Sequence, residues 1–146
     1  MTRHMMADGA AVHVCPVRVY YEDTDAEGIV YYANYLKFAE RGRTEMLREA
    51  GIGHRDLWAK HGIAFAVRNM AADYIKPARL DDALTIHSRL LSLRGASMSA
   101  EQIVRRDGED LVRLSVRLAC IDKNGRPARL PKPVRAVLEA YTHDVQ

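Results

Sequence analysis

Hydrophobic positions recur along this chain with two different periods. In residues 12–21, Val17, Val19 and Tyr21 alternate with Arg18 and Tyr20, the two-residue period of a strand. Over residues 33–50 the period becomes helical. Tyr35 and Leu36, Ala39, Gly42 and Arg43, Met46 and Leu47, and Ala50 fall on one stripe, while Lys37, Arg41, Thr44, Glu45 and Arg48 fall on the other face. Gly51 follows where a C-terminal cap is expected. Arg41 and Glu45 are spaced for an i,i+4 ion pair. Gly42, inside the apolar stripe, implies close approach of another element, since glycine otherwise costs a helix about 1 kcal/mol relative to alanine. Residues 54–60 predict one or two further helical turns.

Strand-like runs then follow at residues 63–74, 84–94, 97–106 and 109–122. They are separated by Lys76-Pro77, Asp81-Asp82, Arg94-Gly95 and Asp107-Gly108. Asp107-Gly108 between two such runs predicts a hairpin. In the last run Val112, Leu114, Val116, Leu118 and Cys120 line one face, and Arg113, Ser115 and Arg117 the other. Residues 131–140 predict a short C-terminal helix with proline in its first turn. One strand, one long helix and four consecutive strands imply an α+β domain in which an antiparallel sheet wraps around that helix, burying both apolar faces at once. The expected organisation is a flexible N-terminal segment 1–11, a domain over 12–141 and a tail 142–146.

Composition narrows the class. The chain has 146 residues, 48% hydrophobic and 28% charged, which suits one globular domain with its own core. A net charge of +3 suits an anionic small molecule but is too scattered for a nucleic-acid face. Cys15 and Cys120 stand far apart and outside any CxxC pair, so they read as reduced core residues. Residues 1–13 lack the apolar run of a signal peptide, and no stretch reaches the roughly 18 apolar residues of a membrane span. No transmembrane segment and a cytoplasmic location are expected.

The densest chemistry lies in residues 20–45. An acidic loop, Glu22-Asp23-Thr24-Asp25-Ala26-Glu27-Gly28, leads directly into the start of the long helix. A helix start offers unpaired N–H groups and partial positive charge, which polarise a carbonyl and stabilise an oxyanion. A carboxylate beside it either attacks that carbonyl or activates water to do so. Together they suffice for thioester hydrolysis without serine, cysteine or metal, although a lone Asp before a helix is more often only a cap.

This segment resembles the signature of hotdog-fold thioesterases of the 4-hydroxybenzoyl-CoA thioesterase type, and within them the Tol–Pal-associated acyl-CoA thioesterases. The matching residues are Tyr21, Glu22, Asp23-Thr24-Asp25, Gly28, Val30-Tyr31, Ala33-Asn34-Tyr35-Leu36, Glu40-Arg41 and Arg43. The resemblance implies a single-domain hotdog fold and hydrolysis of acyl-CoA, or of acyl carrier protein thioesters, without a cofactor or metal. It implies Asp25 as the catalytic carboxylate, the Tyr32 backbone N–H as the carbonyl-polarising donor, and Gly28, Val30 and Tyr31 as substrate-binding residues. It also implies a homodimer or homotetramer, because a sheet curled round one helix keeps open edges. Many members of the Tol–Pal subgroup carry His where this chain has Tyr32. A backbone N–H survives that exchange, whereas a phenol with pKa near 10 is a poor base at pH 7.

Other constellations weigh less. Asp23-Thr24-Asp25 as a metal-binding DxD finds no supporting nucleotide-sugar features, and Asp23 reads as a loop hydrogen-bonder. Glu40 and Arg43, one turn apart, are expected to form a structural pair near the site. His54, His61, His87 and His143 show no metal-ligand spacing. Arg94, Arg105, Arg106, Arg126, Arg129 and Lys132 are candidates for CoA phosphates. The alternative function is a weakly catalytic or non-catalytic acyl- or partner-binding module linked to envelope or phospholipid-synthesis machinery. A hotdog dehydratase would need a His–acid pair, and the loop has no His.

Overall fold

The computed structural model describes residues 2–5 and 11–145. Residues 1 and 6–10 of the segment expected to be flexible, and residue 146 of the tail, lie outside the described residues. The sheet is built on five long strands: β2 (Ala11–Arg18), β3 (Ala64–Tyr74), β4 (Ala83–Leu93), β5 (Ser97–Arg106) and β6 (Glu109–Ile121). They run in the order β2-β4-β5-β6-β3, every neighbouring pair antiparallel. Short β1 (Thr2–Met5) extends the β2 edge, and β7 (Thr142–Val145) pairs in parallel with the far end of β4. The α+β fold read from the sequence, an antiparallel sheet curled around one long helix, is the fold observed.

Helix α1 (Asn34–Glu49) fills the concave face. It buries Tyr35, Phe38, Ala39, Gly42, Arg43, Met46 and Leu47 against β2, β4 and β5. Phe38 takes the place expected of Leu36, which is 39% exposed. Phe38 falls one turn on from Tyr35 and joins the buried stripe, whereas Leu36, about 100° round the helix from Tyr35, turns outward. Glu45 pairs with Arg48 at 3.2 Å rather than with Arg41, so the expected i,i+4 pair is replaced by an i,i+3 pair. The helix ends in a Schellman motif. Gly51, at φ 84°, donates to Arg48 O, and Ile52 donates to Leu47 O.

Gly42 lies against the sheet as its position in the stripe implied. A Cβ there would meet Ile86 Cγ2 at 2.8 Å, with Gln102 Nε2 and Ser88 Oγ at 3.2 Å. The hairpin at Asp107-Gly108 has both residues at positive φ, 51° and 79°, as a type I′ turn requires.

The first long strand ends at Arg18, short of the residue 21 expected, and the chain turns through a 3-10 segment at Tyr21–Asp23. The cause is local. Asp23 Oδ2 accepts from Tyr20 N at 2.8 Å while Asp23 N donates to Tyr20 O at 3.0 Å, so the backbone bends before a further ladder bond can form. Tyr20 and Tyr21 consequently point to solvent, at 61% and 83% exposure. Beyond α1 come a helical turn, α2 (His54–Asp56), and a π-helical stretch at Leu57–His61; α3 (Lys132–Glu139) buries Val134 and Leu138.

Candidate functional site

The acidic loop closes on itself. Thr24 and Val30 form an isolated antiparallel bridge, Asp25 N donates to Ile29 O at 2.9 Å, and Gly28 N donates to Asp25 O at 3.1 Å. Gly28 has a φ of 77°, which is why glycine stands at this tight return. Asp25 Oδ1 accepts from Glu27 N at 2.9 Å, fixing the carboxylate at the base of the loop while leaving the residue solvent-exposed.

Asp23 holds this loop to the helix. Its Oδ1 accepts from the buried Asn34 amide at 2.6 Å, and its carbonyl accepts from Tyr31 N at 3.0 Å. Asp23 is thus a structural pin, the loop hydrogen-bonder the sequence suggested, with both carboxylate oxygens engaged in holding the loop. Val30 N is tied to Ala78 O, and Tyr35 Oη accepts from Ala78 N, so the 75–82 connection braces the same junction. Burial pushes the Tyr35 hydroxyl pKa up.

The start of α1 carries no side-chain cap; its cap residue is Ala33. Among the described residues, the N–H groups of Tyr32 and Ala33 donate to no acceptor. Tyr74, on edge strand β3, donates its hydroxyl to Tyr32 O at 3.1 Å and sets its ring edge-on to Tyr32 with centroids 6.3 Å apart. Sequence reasoning missed Tyr74, because nothing local to residue 74 signals that β3 returns to the helix start. The site therefore has an exposed carboxylate and two open N–H groups at one loop–helix junction.

Beside the junction lies an apolar cleft of about 330 Å³ lined by Ile29, Val30, Tyr32, Tyr35, Tyr74 and Pro77. Val30 is buried at the back of this cleft, whereas Tyr31 and Tyr32 are 47% and 62% exposed. The Tyr31 and Tyr32 rings stand 4.8 Å apart, and the side-chain hydrogen bond that Tyr31 donates to Tyr32 raises the Tyr31 phenol pKa. Gly28 stands clear of neighbours, with nothing within 4 Å of where a Cβ would sit.

A second cleft, of about 380 Å³, opens further along α1. Glu40 and Arg43 both line it, but they form no ion pair among the described residues. The expected structural pair is absent because Arg43 turns inward to Gln102 Oε1 at 2.9 Å while Glu40 stays exposed. Of the cations considered for CoA phosphates, Arg105 and Arg106 are engaged by Asp110 and Asp82, each at 2.7 Å; the Arg105 hydrogen bond lowers the Asp110 carboxyl pKa, and the Arg79 N–H together with Arg106 lowers that of Asp82.

Comparisons with known proteins identify the family. A 123-residue stretch is 46% identical to the acyl-CoA thioester hydrolase YbgC of Escherichia coli O6:H1, covering 83% of this chain and 91% of that protein. The acyl-CoA thioesterase YbgC of Haemophilus influenzae is 43% identical over 122 residues, 83% of this chain and 90% of that one. The crystal structure of a probable thioesterase from Bartonella henselae superposes with a TM-score of 0.80 at 40% identity, covering 82% of this chain and 99% of that one. Residues 19–138 match the family model of the thioesterase-like superfamily, and the chain belongs to that superfamily.

Proposed function

We propose that this protein hydrolyses acyl-CoA thioesters, with Asp25 as the catalytic carboxylate and the Tyr32 N–H as the donor to the thioester oxygen. The observation that carries this reading is the exposed Asp25 carboxylate beside a helix start whose Tyr32 and Ala33 N–H groups are unpaired. Those donors suit the oxyanion that develops as the carbonyl is attacked. Asp25 either takes a proton from the attacking water or forms an anhydride that water then opens. By both routes the C–S bond breaks, the acid leaves as carboxylate and CoA leaves as the thiol. Gly28 shapes the loop, and Val30 and Tyr31 border the path of the acyl group.

The names of the YbgC relatives support CoA as the carrier. Acyl carrier protein as an alternative donor, a cytoplasmic location and a place in the Tol–Pal-associated subgroup belong to the same proposal. No helix among the described residues is long and apolar enough to cross a membrane. A purely binding module is the weaker reading, because holding an acyl chain gives no use to a carboxylate at an open helix start.

The same proposal includes a homodimer or homotetramer with the site at a subunit interface. Strand β3 is 11 residues long and among the described residues pairs only with β6, so its outer edge offers a row of unused backbone groups. Tyr32, Val67, Tyr74 and Ile75, each more than 40% exposed, flank this edge and the site. A two-fold axis at such an edge satisfies both copies with one surface.

A panel of acyl-CoA thioesters with a free-thiol readout tests the function. Release of CoA from at least one of them, dependent on Asp25, is expected. No release above the uncatalysed rate for any of them would contradict the proposal.

A further inference from the structure

Helix α1 packs most closely on β2, β4 and β5. Two clefts lie between α1 and β3. The first is lined by Tyr35 and Tyr74 beside the Asp25 loop. The second is lined by Arg43, Glu40, Thr44 and His54 on one side and by Phe65 and Val67 on the other.

Arg43 is the unusual feature of the second cleft. It is 6% exposed, yet among the described residues its guanidinium makes one hydrogen bond, to Gln102 Oε1, and no ion pair. A guanidinium carries five donors. Gln102 is in turn fixed by donating to Ala39 O and Ser88 Oγ, both at 2.8 Å, so its oxygen is held toward Arg43 and its own charge-neutral amide cannot balance a cation. Burial lowers the Arg43 pKa more than the charge of Glu40 raises it, so Glu40, exposed and unpaired with it, offsets only part of the cost. A buried cation without a partner is expensive, and a carboxylate presented to its free fork is the strongest available match.

Resting on the thioesterase reading above, we infer that this cleft binds the far end of the acyl group and that this end carries a carboxylate: the favoured substrates are CoA monothioesters of dicarboxylic acids. The separation sets the length. From Asn34 to Arg43 the helix rises about 14 Å, and the Arg43 side chain leans back toward the helix start. At about 3.5 Å per three bonds of extended chain, roughly eight to twelve carbons span that gap. Shorter diacids leave their carboxylate stranded against the apolar walls of Tyr35 and Tyr74, where it is penalised.

The test compares kcat/KM for the CoA monothioester of decanedioic acid with that for decanoyl-CoA, and succinyl-CoA with butyryl-CoA. At ten carbons the wild-type ratio of diacid to alkyl thioester is expected to be at least about threefold, and at four carbons below one. Arg43→Gln is expected to bring the ten-carbon ratio below one, and Arg43→Lys to leave an intermediate value. Glu40→Gln, on an exposed side chain, tests the same charge without disturbing the core and is expected to raise the ratio. A wild-type ten-carbon ratio under about threefold, or one that a folded Arg43→Gln or the Glu40→Gln variant leaves unchanged, overturns the inference. Hydrolysis of the alkyl thioesters alone would leave the thioesterase reading standing and remove this one; hydrolysis of none removes both.

Discussion

The Asn34 side-chain amide donates to Asp23 Oδ1 at 2.6 Å, joining the first residue of the helix to the loop that carries Asp25. Asn34 is 8% exposed, so the bond is made largely out of water. It fixes how the loop approaches the open N–H groups of Tyr32 and Ala33, and catalysis at this junction depends on that approach.

Asn34→Ala should therefore separate positioning from folding. The loss of one buried hydrogen bond, leaving Asp23 Oδ1 unpaired, is expected to cost about 1–3 kcal/mol in urea unfolding. The fall in kcat should be larger than that of a remote variant of equal stability, on the order of tenfold, with KM much less affected. Equal loss of activity in a stability-matched remote variant would show that Asn34 acts only through folding.

Gly42 provides a test of packing. Alanine is the better helix former by about 1 kcal/mol, so helix propensity alone would have Gly42→Ala stabilise α1. The added methyl would instead meet Ile86 Cγ2 at 2.8 Å and crowd the Gln102 and Ser88 side chains. A net destabilisation of about 1–3 kcal/mol is expected from overpacking. An increase in the urea midpoint would mean that α1 does not lie this close to the sheet.

His13 sets a pH dependence of stability. Its ring is fully buried on β2, with Nε2 3.1 Å from Glu49 Oε2 but neither ring nitrogen in hydrogen-bond geometry. Burial lowers its pKa below the ordinary 6.5, and the nearby Glu49 only partly offsets this. The unfolded chain then binds a proton that the folded chain refuses, so stability present above pH 6.5 is lost as the pH falls below it toward the folded-state pKa. The lowered carboxyls of Asp82, Glu109 and Asp110 lose their contribution only below their ordinary values of 3.8, 4.5 and 3.8, outside this window. Urea unfolding between about pH 7.5 and pH 5.5 should show a decline in the wild type that His13→Gln lacks. The same decline in both proteins would assign it elsewhere.

Much of this architecture was legible because the sequence states it locally. Gly42 within the stripe signalled close packing, Gly51 the helix end, and Asp107-Gly108 the hairpin, each through a backbone or steric requirement that few residues meet. What escaped depended on contacts made across the chain. Which flank of the apolar stripe is buried, that of Phe38 rather than that of Leu36, is decided by the packing of α1 on β2, β4 and β5. Tyr74 reaches Tyr32 O only because β3 runs back along α1, and the inward turn of Arg43 depends on Gln102, 59 residues later. The carboxylate loop was readable from Asp25 and Gly28, whereas the role of Asp23 as its anchor became specific only once Asn34 and Tyr31 were placed.

The central claim is that Asp25 performs the chemistry, and turnover by Asp25→Asn tests it most directly. The side chain keeps its size and an oxygen able to accept from Glu27 N, so circular dichroism and the urea midpoint should stay close to wild type. With an active acyl-CoA substrate, kcat measured by thiol release is expected to fall at least ~100-fold, the scale of losing a positioned base or nucleophile. A folded Asp25→Asn protein that turns over at a near-wild-type rate would contradict the assignment.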